Sequence, residues 1–117
     1  MTLPLPNAHM ASVSQDKILL YLLAENHPAG RSKANFFLRH GFSPSAWQSL
    51  RDALIELAQK GTISTAVETE FGWKYSVEGD LRVPMGPSPR IRTVWFVSRG
   101  ETVPCLVTAY PVQGGHG

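Results

Sequence analysis

The chain has almost no cysteine. Cys105 stands alone among 117 residues, so no internal disulfide can form and the fold must stand on its apolar core. Cys105 opens the apolar run Cys105-Leu106-Val107 and reads as a small core residue of a buried strand. Long hydrophobic stretches are absent too: no run approaches the roughly 18 apolar residues of a membrane span, so no membrane partner is expected. Met1 to Ala11 has no charged segment ahead of its apolar residues, which argues against a signal peptide. Metal and nucleotide signatures are lacking: there is no HxxxH, CxxC, GxGxxG or GK[ST], and the carboxylates are scattered. Two-metal nuclease chemistry is therefore not expected, and neither metal nor cofactor is called for. Finally, two stretches lack acids. Between Glu25 and Asp52 the charged residues are Arg31, Lys33, Arg39 and Arg51; between Asp80 and Glu101 they are Arg82, Arg90, Arg92 and Arg99. The net charge is only +2, but two such stretches meeting on one face would attract phosphate.

What is present fits one small domain: 43% of residues are hydrophobic, which is ordinary for a globular protein. Pro4, Pro6 and Asn7 suggest an extended arm over residues 1–13. The domain itself spans 14–111, and 112–117, rich in glycine, form a flexible tail. Three helices are expected first. One runs from about Gln15 to Glu25, capped by Ser14, with Ile18, Leu19, Leu22 and Leu23 as its apolar stripe. Asn26-His27-Pro28-Ala29-Gly30 stops it. A second covers Arg31 to His40, with Ala34, Phe37 and Leu38 on one face and Gly41 at its end. A third covers Pro44 to Lys60, capped by Ser43 and ended by Gly61; Ala46, Trp47, Leu50, Leu54, Leu57 and Ala58 form its buried side.

After Gly61 the pattern changes to period two. Thr62–Thr69 and Trp73–Glu78, joined by a turn at Glu70-Phe71-Gly72, read as a hairpin. Arg90–Val97 and Val103–Tyr110 read as two further strands. The expectation is an α+β fold in which N-terminal helices pack on one face of a four-stranded antiparallel meander.

Several residues are candidates for chemistry. His27 sits in a helix-ending loop and titrates near neutrality, as a proton carrier must, although most loop histidines are merely solvated. Arg31, Ser32 and Lys33 open a helix whose free N–H groups favour anions. Arg90 and Arg92 flank Ile91 on one strand face, and bidentate phosphate binding would offset their mutual repulsion. Thr108 offers a hydroxyl in mid-strand. Trp73, Trp95 and Tyr110 read as core aromatics rather than base-stacking ones.

Taken together, Leu20-Tyr21-Leu22-Leu23, Asn26 to Phe37 (NHPAGRSKANFF), Gly41-Phe42-Ser43, Trp47, Phe71-Gly72-Trp73-Lys74-Tyr75, Val77-Glu78-Gly79, Arg92 to Phe96 and Leu106 to Pro111 resemble a bacterial family known only as a domain of unknown function, number six-eight-eight-three. The resemblance spans Leu5 to Pro111. The order of helices and meander, with the HPxGRSKAxFF and TAYP segments, also resembles the barnase, EndoU, colicin E-type and RelE-like RNase superfamily, often found in toxins. That second resemblance implies metal-independent RNA cleavage in a cytoplasm, the chain's own or a target cell's, and a cognate immunity or antitoxin protein as partner. It makes His27 a general acid or base, Lys33, Arg90 and Arg92 phosphate binders, and Thr108 and Tyr110 polar groups of the sheet cleft. The chain departs from the pattern in having no histidine between Gly41 and Gly115, so the second proton carrier would be Lys33, Tyr110 or Glu78. The alternative is a non-catalytic module, an inactive relative or antitoxin-like partner, that binds RNA or protein.

Overall fold

A computed structural model describes residues 3–24 and 31–112. Its frame is a four-stranded antiparallel sheet in the order β1-β2-β3-β4, built from β1 (Thr62–Thr69), β2 (Gly72–Asp80), β3 (Arg90–Ser98) and β4 (Cys105–Pro111). The meander follows from short connections between strands of period-two pattern. At the first turn, Gly72 has φ +147°, and a Cβ there would meet Val97 O at 2.1 Å, so only glycine fits.

The helices precede the sheet in the chain: α1 (Gln15–Lys17), α2 (Arg31–Arg39) and α3 (Trp47–Lys60). The Ser14 hydroxyl caps α1 by accepting from Lys17 N at 3.0 Å, as expected. The helix then departs from expectation. Ile18–Leu22 forms a π-helical turn, closed by Leu23 N donating to Ile18 O at 2.8 Å, and the helix stops at Leu23. Gly41, at φ +97°, lets the chain turn after α2. Before α3, Pro44–Ala46 is a 3-10 turn; the Ser43 hydroxyl bonds Ser45 Oγ (3.2 Å) rather than the helix backbone, and Ala46 is exposed. Gly61 ends α3 without a positive φ. A Cβ there would meet Glu78 O at 2.6 Å, so its role is close approach of the helix end to β2.

Side chains of Val77, Ile91, Thr93, Trp95, Leu106 and Ala109 share one sheet face by register, and all but Leu106 are wholly buried. The helices cover this face with Ile18, Leu22, Phe37, Leu50, Leu54 and Leu57. The expected N-terminal arm is part of the same core: Leu5, Ala8, Ala11 and Val13 are buried, with a 3-10 turn at Ala8–Met10. Leu3 O accepts from Ile63 N on β1, and Ser12 bonds Pro104 and Leu106 at β4, so the segment crosses from one sheet edge to the other. Residues 113–117, the expected tail, lie outside the described residues.

Three core expectations need correction, one of them Tyr110, which lies half-buried opposite Arg92 on the uncovered sheet face. Cys105 is exposed because the register pairs it with Phe96 on the uncovered sheet face, leaving Leu106 to point inward. Trp73 lies on the helix-side face but at the hairpin end, where it stacks on Tyr75 (5.9 Å) and stays 39% exposed.

Candidate functional site

The uncovered face carries Lys74, Ser76, Glu78 and Asp80 from β2, Arg90, Arg92, Val94 and Phe96 from β3, and Thr108 and Tyr110 from β4. At its β4 edge the π-helical turn contributes Tyr21. The Tyr21 hydroxyl lies 3.3 Å from Thr108 Oγ1. Two ammonium groups sit over the same ring: Lys17 Nζ is 5.2 Å and Lys33 Nζ 5.6 Å from its centroid. Lys17 comes from the preceding turn, four residues back, and Lys33 from the first turn of α2. Among the described residues neither lysine has a carboxylate partner. The Thr108 hydroxyl bond and then the two lysines hold the Tyr21 phenol below its usual pKa, against the opposing effect of partial burial.

One strand position along, Arg92 lies opposite Tyr110, its guanidinium 5.9 Å from the ring centroid. Its Nε donates to Glu78 Oε2 at 2.8 Å, and Nη2 reaches the same oxygen. Tyr110 and then Glu78 raise the Arg92 pKa further, so it stays charged. Lys17, Tyr21, Lys33, Glu78, Arg92, Thr108 and Tyr110 are half-buried, which makes the local dielectric lower than that of water and strengthens each charge.

Lys33, Thr108, Tyr110 and Arg92 are thus brought together, with Tyr21 as the centre. Arg90 shares the face but pairs with Asp80 at 3.7 Å and lines a separate cleft of about 410 Å³ with Glu56, Lys60, Gly61 and Arg82. His27 and the Arg31 side chain lie outside the described residues. The second acid-free stretch is not basic in space: Arg82, Arg90, Arg92 and Arg99 face Glu56, Asp80, Glu78 and Glu68. Opposite charges across strands therefore offset the arginine repulsion that pointed to phosphate. Tyr21 and Lys17 escaped notice in the sequence because Tyr21 sits inside an apolar stripe. Their spacing of four residues, which places them on one helix face, was the available signal.

Among the described residues no three His, Cys, Asp or Glu side chains gather as a metal site, and no helix is long and apolar enough to cross a membrane. The architecture is that of an α+β domain with one open sheet face and a cationic phenol site at its edge. The chain belongs to the family described as Domain of unknown function (DUF6883), whose model matches residues 4–113. No curated protein and no solved structure matches it, so the RNase resemblance gains no support from these comparisons.

Proposed function

We propose that the domain is a metal-independent endoribonuclease of the toxin type, acting at the edge of the open sheet face. The observation that carries this reading is the convergence of Lys17 and Lys33 over one phenol. Among the described residues no carboxylate neutralises either ammonium group, and a phosphate diester placed beside Tyr21 would meet both cations. Arg92, fixed by Glu78, adds a third cation on the same side.

RNA cleavage without metal needs a base for the ribose 2′-hydroxyl, an acid for the leaving 5′-oxygen, and cations for the crowded phosphorane. The 2′-oxygen bonds to phosphorus as the bond to the 5′-oxygen breaks, and the proton lost by one is replaced on the other, leaving a cyclic phosphate and a 5′-hydroxyl. Tyr21, with its lowered pKa and its hydroxyl bonded to Thr108, serves as one proton carrier in this proposal. His27 is assigned the other by the RNase resemblance. Each such group contributes roughly 10²- to 10⁴-fold, and the preorganised lysines a comparable factor. RNA is then the substrate, and an immunity or antitoxin protein the regulating partner.

A second reading rests on a different observation. Arg90 and Arg92 are paired with acids directly across the strand, so the sheet face has less charge free to stabilise a phosphorane, and the domain would then be a non-catalytic module that holds RNA through Lys17 and Lys33. Incubation with labelled RNA in excess chelator separates the two. Cleavage by the wild type that is lost in Tyr21→Phe and Lys33→Ala supports the enzyme. Salt-sensitive binding without cleavage supports the module, and neither activity removes RNA from the account.

A further inference from the structure

The two edges of the sheet are treated differently. At β4, Ser12 makes a parallel bridge with Cys105; its N–H donates to Pro104 O (2.8 Å) and its carbonyl accepts from Leu106 N (3.0 Å). At β1, the N-terminal segment reaches only Ile63, whose N–H donates to Leu3 O at 2.9 Å. Beyond Ile63 nothing among the described residues pairs with this edge.

The register shows which backbone groups are left. Thr69 pairs with Gly72 across a two-residue loop, and the pair closing such a loop is a hydrogen-bonded one. Counting back by two, Thr69, Val67 and Thr65 turn their backbone groups toward β2, while Glu68 and Ala66 turn theirs away. A bulge at Ser64, whose hydroxyl donates to Ser76 O (3.3 Å), resets the alternation, so that Ile63 again points outward. The Leu3 bond confirms that direction.

Natural edges are usually blunted by lysine or proline. Thr62–Thr69 contains neither, and Glu68 is its only charge. Residues 64–68 are exposed, Val67 by 47%. On the open sheet face the segment reads Thr65, Val67, Thr69, a pattern that is the same in both directions.

We infer that this edge binds a second copy of the chain, β1 against β1 antiparallel about a two-fold axis at Val67. Ala66 of one copy then faces Glu68 of the other and exchanges both backbone bonds, and the axis repeats this on its other side. Val67 meets Val67 in the close, non-hydrogen-bonded position, and Thr65 meets Thr69 on each side. β-branched cross-strand pairs of this kind are stabilising. Each Glu68 lies opposite an alanine, so no like charges face each other. Two four-stranded sheets become one continuous sheet with its open face, and both Tyr21 sites, on the same side.

The test is the mass of the full chain in solution by light scattering and sedimentation across a range of concentration. The dimer should appear at twice 12.9 kDa. Ala66→Pro removes an outward N–H without touching the β2 ladder, and Val67→Lys sets two ammonium groups face to face; each should give monomer with unchanged circular dichroism. In a Cys105→Ser background, Val67→Cys should form a covalent dimer on oxidation, because Cα atoms at that position approach to about 4.5 Å, within disulfide reach. Glu68→Cys, opposite Ala66, should not. A wild type that stays monomeric, a dimer that persists in Val67→Lys, or cross-linking at Glu68→Cys rather than Val67→Cys would overturn the inference.

Discussion

Among the described residues Thr93 is the one fully buried polar side chain of the core, and replacing it with valine gives a defined loss. Its hydroxyl donates to Val77 O at 3.0 Å and accepts from Trp95 Nε1 at 2.7 Å. Valine has nearly the same shape, so no cavity opens; what goes is two hydrogen bonds, and the indole N–H is left stranded in a dry core. The lost bond to Val77 O costs about 1 kcal/mol net and the stranded indole N–H about 1–3 kcal/mol, so the total is about 2–4 kcal/mol. For a chain of this size that lowers the midpoint of thermal unfolding by roughly 4 °C per kcal/mol, or about 8–16 °C. Thr93→Ser keeps both bonds and loses one methyl, about 1 kcal/mol. Urea and thermal unfolding of the two variants measure the difference directly. A Thr93→Val protein as stable as Thr93→Ser would refute the reasoning, because packing rather than the hydroxyl would then hold the strand. The effect bears on the site because Thr93 lies between Arg92 and Val94, and its bonds fix the strand that presents Arg92 to Tyr110.

Three further expectations rest on other parts of the fold. Gly61→Ala places a Cβ 2.6 Å from Glu78 O and 2.8 Å from Leu57 O, so it should cost about 1–3 kcal/mol by forcing α3 away from β2, read as a lower denaturation midpoint. Ser14→Ala removes the cap of α1 and should cost about 1 kcal/mol, with no change in the far sheet signals. Lys60 and then Arg82 hold the Glu56 carboxyl below its usual pKa of 4.5. Its contribution is therefore complete above pH 4.5 and disappears as the pH falls through the lower folded-state value. The partners are exposed, so the gain at neutrality is under about 1 kcal/mol, and Glu56→Gln should match the wild type in acid while falling slightly below it at pH 7.

Much of the fold was legible because its signals are local. The change from a three-to-four period to a two period at Gly61, the turn at Glu70-Phe71-Gly72, and the strand over Arg90–Val97 each reflect backbone geometry within a few residues. The site was half legible. Lys33, Thr108 and Arg92 were named by residue type and Tyr110 by the RNase resemblance, and they do come together. What a linear reading misses is what lies across a strand or behind a helix. Glu78 and Asp80 are far from Arg92 and Arg90 in sequence yet directly opposite in the sheet, so a stretch without acids turned out to be paired throughout. Tyr21 was hidden because a phenol at an apolar helix position looks like core. The π-helical turn over Ile18–Leu22, closed by the bond from Leu23 N to Ile18 O, brings it to the sheet edge. Leu5, Ala8 and Ala11 looked like an arm because proline-rich segments carry no period, although they fill the core beneath the helices.

The most direct test of the central claim is RNA cleavage in excess chelator by the wild type, Tyr21→Phe and Lys33→Ala, with folding of each checked by thermal unfolding. The account predicts chelator-resistant cleavage that falls at least a hundredfold in both variants, on the scale of a lost proton carrier or preorganised cation, while unfolding midpoints move little. Cleavage that survives both substitutions, or intact RNA with folded wild type, would contradict it.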